Sequence, residues 1–301
     1  MRIGVSLPSM GRLSTPENLI EAAQAAERLG YDTLWTADRL LYPVNPRTKY
    51  PVTPDGSLPE VYKRVLDPLD ALTFAAAHTS RIGLGTSVLD IPFYNPVTLA
   101  RRLTTLDILS RGRLRAGFGL GWSADEFEAA GAQKDRGARA EEFIAALKAI
   151  WAEDPVEFHG KYFTVPRSII GAKPMQKPRP PIYLAAFAPA ALRRAAALAD
   201  GWMPVAIPLD GMTAMIAQLR QFAREAGRDP QALDIVVGAN IAVTDKPLGA
   251  ERAIFTGSEA QVRGDIAAVR KLGAGEIFFL LFHENSIGEL LGMMERFRRL
   301  V

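Results

Sequence analysis

"RIGLGTSVLDIPFYNP", residues 81–96, begins as a strand and ends as something else. Its opening residues have no polar face, the pattern of a parallel strand covered on both sides. Small and polar residues then arrive together at Thr86 and Ser87, followed by Asp90, two prolines and the pair Phe93-Tyr94. A strand that finishes this way lets a large flat group come close to its backbone.

Seven further runs share the strand character: 2–7, 33–38, 114–121, 181–186, 201–206, 234–244 and 276–282. Between them lie segments of helical period near 16–29, 67–78, 95–109, 137–152, 189–199, 211–226, 258–272 and 286–299. Thr15-Pro16 and Asn95-Pro96 read as caps followed by a first-turn proline, and Gly30 and Gly273 stand where helices should stop. Eight strands, each followed by a helix, predict an α/β chain folded as one (β/α)8 TIM barrel over 1–301. An open doubly wound sheet is disfavoured because no Gly-x-Gly-x-x-Gly follows the first strand. Two segments exceed the repeat: a proline- and tyrosine-rich insertion near 39–65, expected to cover the barrel mouth, and a hairpin with a proline-rich tail near 153–180.

Composition removes several functions. The net charge is +3, with 36 basic against 33 acidic residues, and the basic residues are scattered, so nucleic acid is not expected as a partner. The chain has no cysteine, hence no disulfide or thiolate chemistry. Its first residues carry too short an apolar run for a signal peptide, and no stretch reaches the roughly 20 apolar residues of a membrane helix. A cytoplasmic protein that spans no membrane is the expectation. With three histidines in the chain, only His283 at a strand end, no metal site is expected. No lysine falls within a strand, which argues against a Schiff base, and there is no nucleophile elbow. The strand ends instead offer small residues, backbone and aromatics: a poor kit for proton chemistry and a good one for holding a planar cofactor. The segment AAFAPAALRRAA, 185–196, adds a helix amino terminus suited to a phosphate.

Several stretches together resemble the luciferase-like monooxygenase superfamily, the barrel flavin and deazaflavin oxidoreductases. They are LWTADRLLYP (34–43), the run from Thr79 to Ala132, RGARAEEFIAALKAIW (136–151), and the run from Lys173 to Pro204. The pattern NP-x(8)-TLD-x-LS-x-GR-x-x-x-G-x-G-x-GW carries most of the specificity. The resemblance implies a bulge at Thr86, Ser87 and Val88 behind the cofactor ring, with a cis peptide in several members at the position of Ser87–Val88. It implies Asp38 near the ring's polar edge, Gly119, Gly121, Trp122 and Asp125 along the cofactor cleft, and Ala185, Ala186, Phe187 and Ala188 at its phosphate. The AAFAP loop resembles members that use coenzyme F420; FMN is the alternative. Family members are often dimers, so a homodimer is expected.

One departure bears on mechanism. Many members place His after the aspartate, where this chain has Arg39, a poor general base able to bind an oxyanion. The expectation is an F420-dependent oxidoreductase acting on a small organic substrate, favouring reduction of an activated C=C or C=O. Arg39 would hold the substrate oxygen, and Tyr42, His283 or water would give the proton. The alternatives are an FMN-dependent monooxygenase with a separate reductase, and a non-catalytic flavin-binding protein of the same fold. On local grounds alone, Asp125 reads as a helix amino-terminal residue and the alternating glycines 117, 119 and 121 as barrel packing.

Overall fold

A computed structural model describes residues 1–53, 55–282 and 285–301. The barrel strands are β1 (Arg2–Ser6), β2 (Thr33–Thr36), β3 (Gly83–Thr86), β4 (Leu114–Gly119), β5 (Ile182–Leu184), β6 (Gly201–Trp202), β7 (Asp234–Asn240) and β8 (Glu276–Leu280). Each pairs in parallel with the next, and Arg2 opposite Glu276 closes the ring between β1 and β8. The helices are α1 (Pro16–Arg28), α2 (Pro68–Ala77), α3 (Pro96–Leu109), α4 (Ala124–Ala129), α5 (Arg136–Trp151), α6 (Pro189–Leu198), α7 (Leu209–Glu225), α8 (Glu259–Lys271) and α9 (Ile287–Arg298). None among the described residues is long and apolar enough to cross a membrane.

The local signals work as their chemistry dictates. Thr15 accepts the Asn18 amide, and Asn95 accepts those of Val97 and Thr98. Gly30 and Gly273 take φ of 76° and 89° just past α1 and α8, the left-handed region that glycine enters at least cost. The 153–180 insertion does form a hairpin, Val156–His159 against Thr164–Ser168. Helix α4 is an element the repeat did not announce.

Much of the family pattern turns out to hold the frame. The Arg113 guanidinium donates to the carbonyls of Ala76, Thr79, Ile82 and Ser110, tying the turns below β3 and β4 together. Fully buried Asp107 accepts the Gln176 amide at 3.0 Å and its side-chain nitrogen at 2.7 Å, which docks the proline-rich tail.

Inside the barrel the bulk is supplied by Trp35, Tyr183, Met203 and Phe278. Trp35 has no exposed surface and stacks on Phe278 with ring centres 4.9 Å apart. Glycines on the two neighbouring strands give it room: a Cβ on Gly85 would stand 2.3 Å from the Trp35 ring, and one on Gly4 would stand 2.7 Å from its nitrogen. Gly117 meets the Thr86 carbonyl and Met203 in the same way. At the amino-terminal end lies a buried ionic floor. Glu276 accepts from Thr33, from Trp35 Nε1 at 2.8 Å and from Arg2 at 3.0 Å, with Arg115 at 3.4 Å. Arg2 and Arg115 both also reach Asp234.

Two outcomes follow. Gly85→Ala should destabilise the protein by about 1–3 kcal/mol, since the added methyl must displace the indole. Combining it with Trp35→Leu should relieve that cost, so denaturant titration of the cycle should show strong non-additivity. Glu276→Gln leaves buried donors and cations short of their acceptor and should cost about 3 kcal/mol, seen as a melting temperature lower by several degrees.

Candidate active site

Beyond Thr86 the β3 chain does not continue straight. It rejoins β4 only at Leu89–Asp90, opposite Phe118 and Gly119, so Ser87 and Val88 form a bulge between two pairings. The Ser87–Val88 peptide is cis, as the resemblance implied. Ser87 donates its amide to the Thr36 carbonyl at 2.6 Å and lines a recess with Ser6, Trp35, Thr36, Ala37 and Phe282. That recess is small, about 10 Å³. It shares Phe282 with a cleft of about 410 Å³ between the β1–α1 connection, the insertion and the chain after β8.

Asp38 stands just past β2, one residue beyond Ala37 of that recess. It is 8% exposed and accepts the Tyr94 hydroxyl at 2.6 Å. Burial pushes its carboxyl up to about 6, against the lowering effect of the Tyr94 hydrogen bond. Asp90, where β3 rejoins the sheet, is also buried, and desolvation raises it to about 7 despite the nearby Arg39 charge. The Asp38 charge adds to the rise at Asp90. Sequence reasoning gave no role to Tyr94 or Asp90, although both stand in the first stretch quoted above. An aspartate closing an apolar strand was the available signal.

Arg39 is not where the sequence reading expects it. Its guanidinium forms a two-pronged ion pair with Glu126 of α4, with the side chains 8% and 1% exposed. The Leu40 amide donates to the same carboxylate at 2.8 Å. Trp122 covers the guanidinium at 4.8 Å from the ring centre, and Tyr62 lies at 5.7 Å. A cation so enclosed has its charge met by the carboxylate. Trp122 correspondingly belongs to this plug, packed also on Tyr50. Glu126 was hidden by the pattern Ser123-x-x-Glu126, which reads as a helix cap; Ser123 does accept the Glu126 amide, while the side chain goes to Arg39.

Other positions divide between frame and mouth. The Thr86 hydroxyl donates to the Gly117 carbonyl at 2.8 Å and accepts the Gly117 amide at 2.9 Å, which joins β3 to β4. Gly119 lets Val88 and Asp90 approach, and Gly121, at φ 64°, makes room for Phe127. Asp125 stands at the start of α4, where its carboxylate takes the Arg47 amide at 3.0 Å and guanidinium at 2.9 Å; it anchors the insertion. Tyr42 is turned into the same insertion, donating to the Leu58 carbonyl at 3.4 Å with Lys63 over its ring. His283 lies outside the described residues.

At the other edge of the mouth, Ala185 extends the strand by donating to Phe118, and the Ala186 carbonyl accepts Trp202 Nε1. Phe187, 55% exposed, and Ala188 then lead into α6, which starts at Pro189 with no side chain capping it. A small recess lined by Gly119, Ala185, Ala191 and Arg194 adjoins that helix start. Among the described residues no group of three or more His, Asp or Glu is gathered to hold a metal.

The comparisons agree with this architecture. The model of the luciferase-like monooxygenase family matches residues 1–276. An uncharacterized protein of Mycobacterium tuberculosis is 32% identical over 280 residues, covering 91% of this chain and 98% of its own. An F420-dependent glucose-6-phosphate dehydrogenase of Nakamurella multipartita is 31% identical over 228 residues, 74% of this chain and 62% of that protein. The solved structure of an F420-dependent secondary alcohol dehydrogenase, in complex with an F420-acetone adduct, superposes with a TM-score of 0.80 at 18% identity, over 100% of this chain and 98% of that one. That last likeness speaks for the fold. With its closed parallel barrel and bulged third strand, the chain belongs to the luciferase-like monooxygenase family of oxidoreductases.

Proposed function

We propose that the protein is an F420-dependent oxidoreductase that moves hydride between the deazaflavin and a small organic substrate, with reduction of an activated C=C or C=O favoured. The observation that carries this reading is Asp38, a carboxyl just past β2 that burial holds near neutrality while the Tyr94 hydroxyl orients it. F420-dependent relatives support the choice of cofactor.

The residues fit such a group at both ends. The uncapped start of α6 offers free amides and the positive end of a helix dipole, with Arg194 beside it, to a phosphate. The lack of a hydroxyl at Ala188 suits backbone contacts. Ala37 and Ser87 present small side chains at the recess over Trp35. When bound, the deazaflavin supplies or accepts the hydride.

The chain itself manages the proton. A carboxyl whose proton is held at a pH near 6 can give it to an oxygen or carbon that gains negative charge, and Asp90 behind it adds a second store. Tyr94 fixes the orientation of Asp38. The Arg39–Glu126 pair acts at a distance, fastening the start of the insertion to α4 so that the Asp38 backbone is held.

Titration of the purified protein with F420 and FMN side by side tests the cofactor. F420 should bind and lose its oxidised absorbance on reduction; tight FMN binding with none for F420 would favour the oxygen-using alternative. In the reducing direction Asp38 works protonated, so turnover should fall as pH rises through the apparent value near 6. Asp38→Asn should lower turnover by about 100-fold or more and erase that limb. A variant with an unchanged pH profile would remove Asp38 from proton transfer.

A further inference from the structure

The cleft of about 410 Å³ has a charge pattern that the chemistry above does not use. Its walls are apolar, with Met10, Leu13, Val61 and Phe282 among them. Its rim carries Arg12, Lys63 and Arg64 against a single carboxylate, Glu60, a formal balance of three positive to one negative among the described lining residues. Glu60 is taken by Lys63 at 2.7 Å. Arg12 is exposed, and among the described residues no carboxylate lies within salt-bridge reach of it. Arg64 donates one guanidinium nitrogen to the Ser14 carbonyl at 2.9 Å, which orients the group.

The walls are joined. Gly11 donates its amide to the Arg64 carbonyl at 2.8 Å, Leu66 donates to Ser9 at 3.0 Å, and Met10 bridges Val65. Gly11, at φ 68°, brings its backbone so near Val61 that a Cβ would stand 3.1 Å from that side chain. A cleft whose two sides are hydrogen-bonded to each other needs little ordering on binding. Its place also matters. It lies at β1 and β8, which are neighbours, whereas α6 follows β5 on the far side of the ring. An anion held here is therefore distinct from one held at the α6 amino terminus.

We propose that this cleft receives the anionic group of the substrate, and that the substrates are amphipathic organic anions: a carboxylate or phosphate on a short apolar body. The inference rests on the oxidoreductase reading, since the apolar body must extend past Phe282 toward the recess at Ser87. Two planar guanidinium groups offer paired N–H donors that the oxygens of a carboxylate or a phosphate accept in two-pronged fashion, and the apolar walls supply burial that a bare ion lacks.

Isothermal titration of the cofactor-free protein with octanoate, octyl phosphate, octanol and octylamine tests it. At least one of the two anions should bind about tenfold or more tightly than octanol, octylamine should bind no better than octanol, and added salt should narrow the gap. Which anion binds better identifies the headgroup. Arg12→Gln combined with Arg64→Gln should bring the anions down to the octanol value; Arg12→Gln alone, at an exposed site, should lose part of the preference if the double variant does not fold. Equal binding of the anions and octylamine, or anion binding unchanged in folded Arg12→Gln, overturns the proposal. F420 titration of the parent protein separates the two readings: anion selectivity without F420 binding sinks the cofactor assignment and leaves the cleft an anion site, while F420 binding without anion selectivity sinks this inference alone.

Discussion

The fully buried carboxylate of Glu276 is the fixed point of the barrel. A charge taken out of water is tolerated only when its oxygens are satisfied, and here Thr33, Trp35 and Arg2 satisfy them, with Arg115 close by. Because one of those donors is the indole nitrogen, the carboxylate sets the tilt of Trp35. The indole in turn fills the barrel interior between glycine-bearing strands and reaches the recess beside Ser87. The ionic floor, the packed middle and the shape of the mouth are one chain of contacts.

That continuity explains what could be read without coordinates. Alternation of short apolar runs with helical segments sufficed for the barrel, because period and length are local properties, and the helix limits fell within a residue or two through Thr15, Asn95, Gly30 and Gly273. The family pattern was legible for a different reason. Asp107 and Arg113, two of its most recognisable residues, serve the frame: one docks the proline-rich tail and the other gathers carbonyls below β3 and β4. The pattern therefore marks the frame more clearly than it marks the chemistry.

The candidate site was less legible because its partners are remote in sequence. Arg39 and Glu126 are 87 residues apart, and Tyr94 and Asp38 are 56 apart; nothing in either neighbourhood announces the other. An arginine after the aspartate invites a substrate role until its counterion is seen. Thr86 is a polar residue in an apolar strand whose hydroxyl both donates to and accepts from the adjacent backbone. The bulge at Ser87–Val88 came from family likeness alone, since no propensity rule distinguishes it from an ordinary strand end.

The insertion over the mouth is fastened in two unlike ways. Near its root the Arg39–Glu126 contact is dry, shielded by Trp122 and Tyr62. Farther out, Arg47 grips Asp125 and Glu128 in the open, with half its own side chain in solvent. Mobile ions screen the outer grip and barely touch the inner one. The two attachments of one segment thus differ in their response to ionic strength: brine weakens the outer and leaves the inner almost as it was.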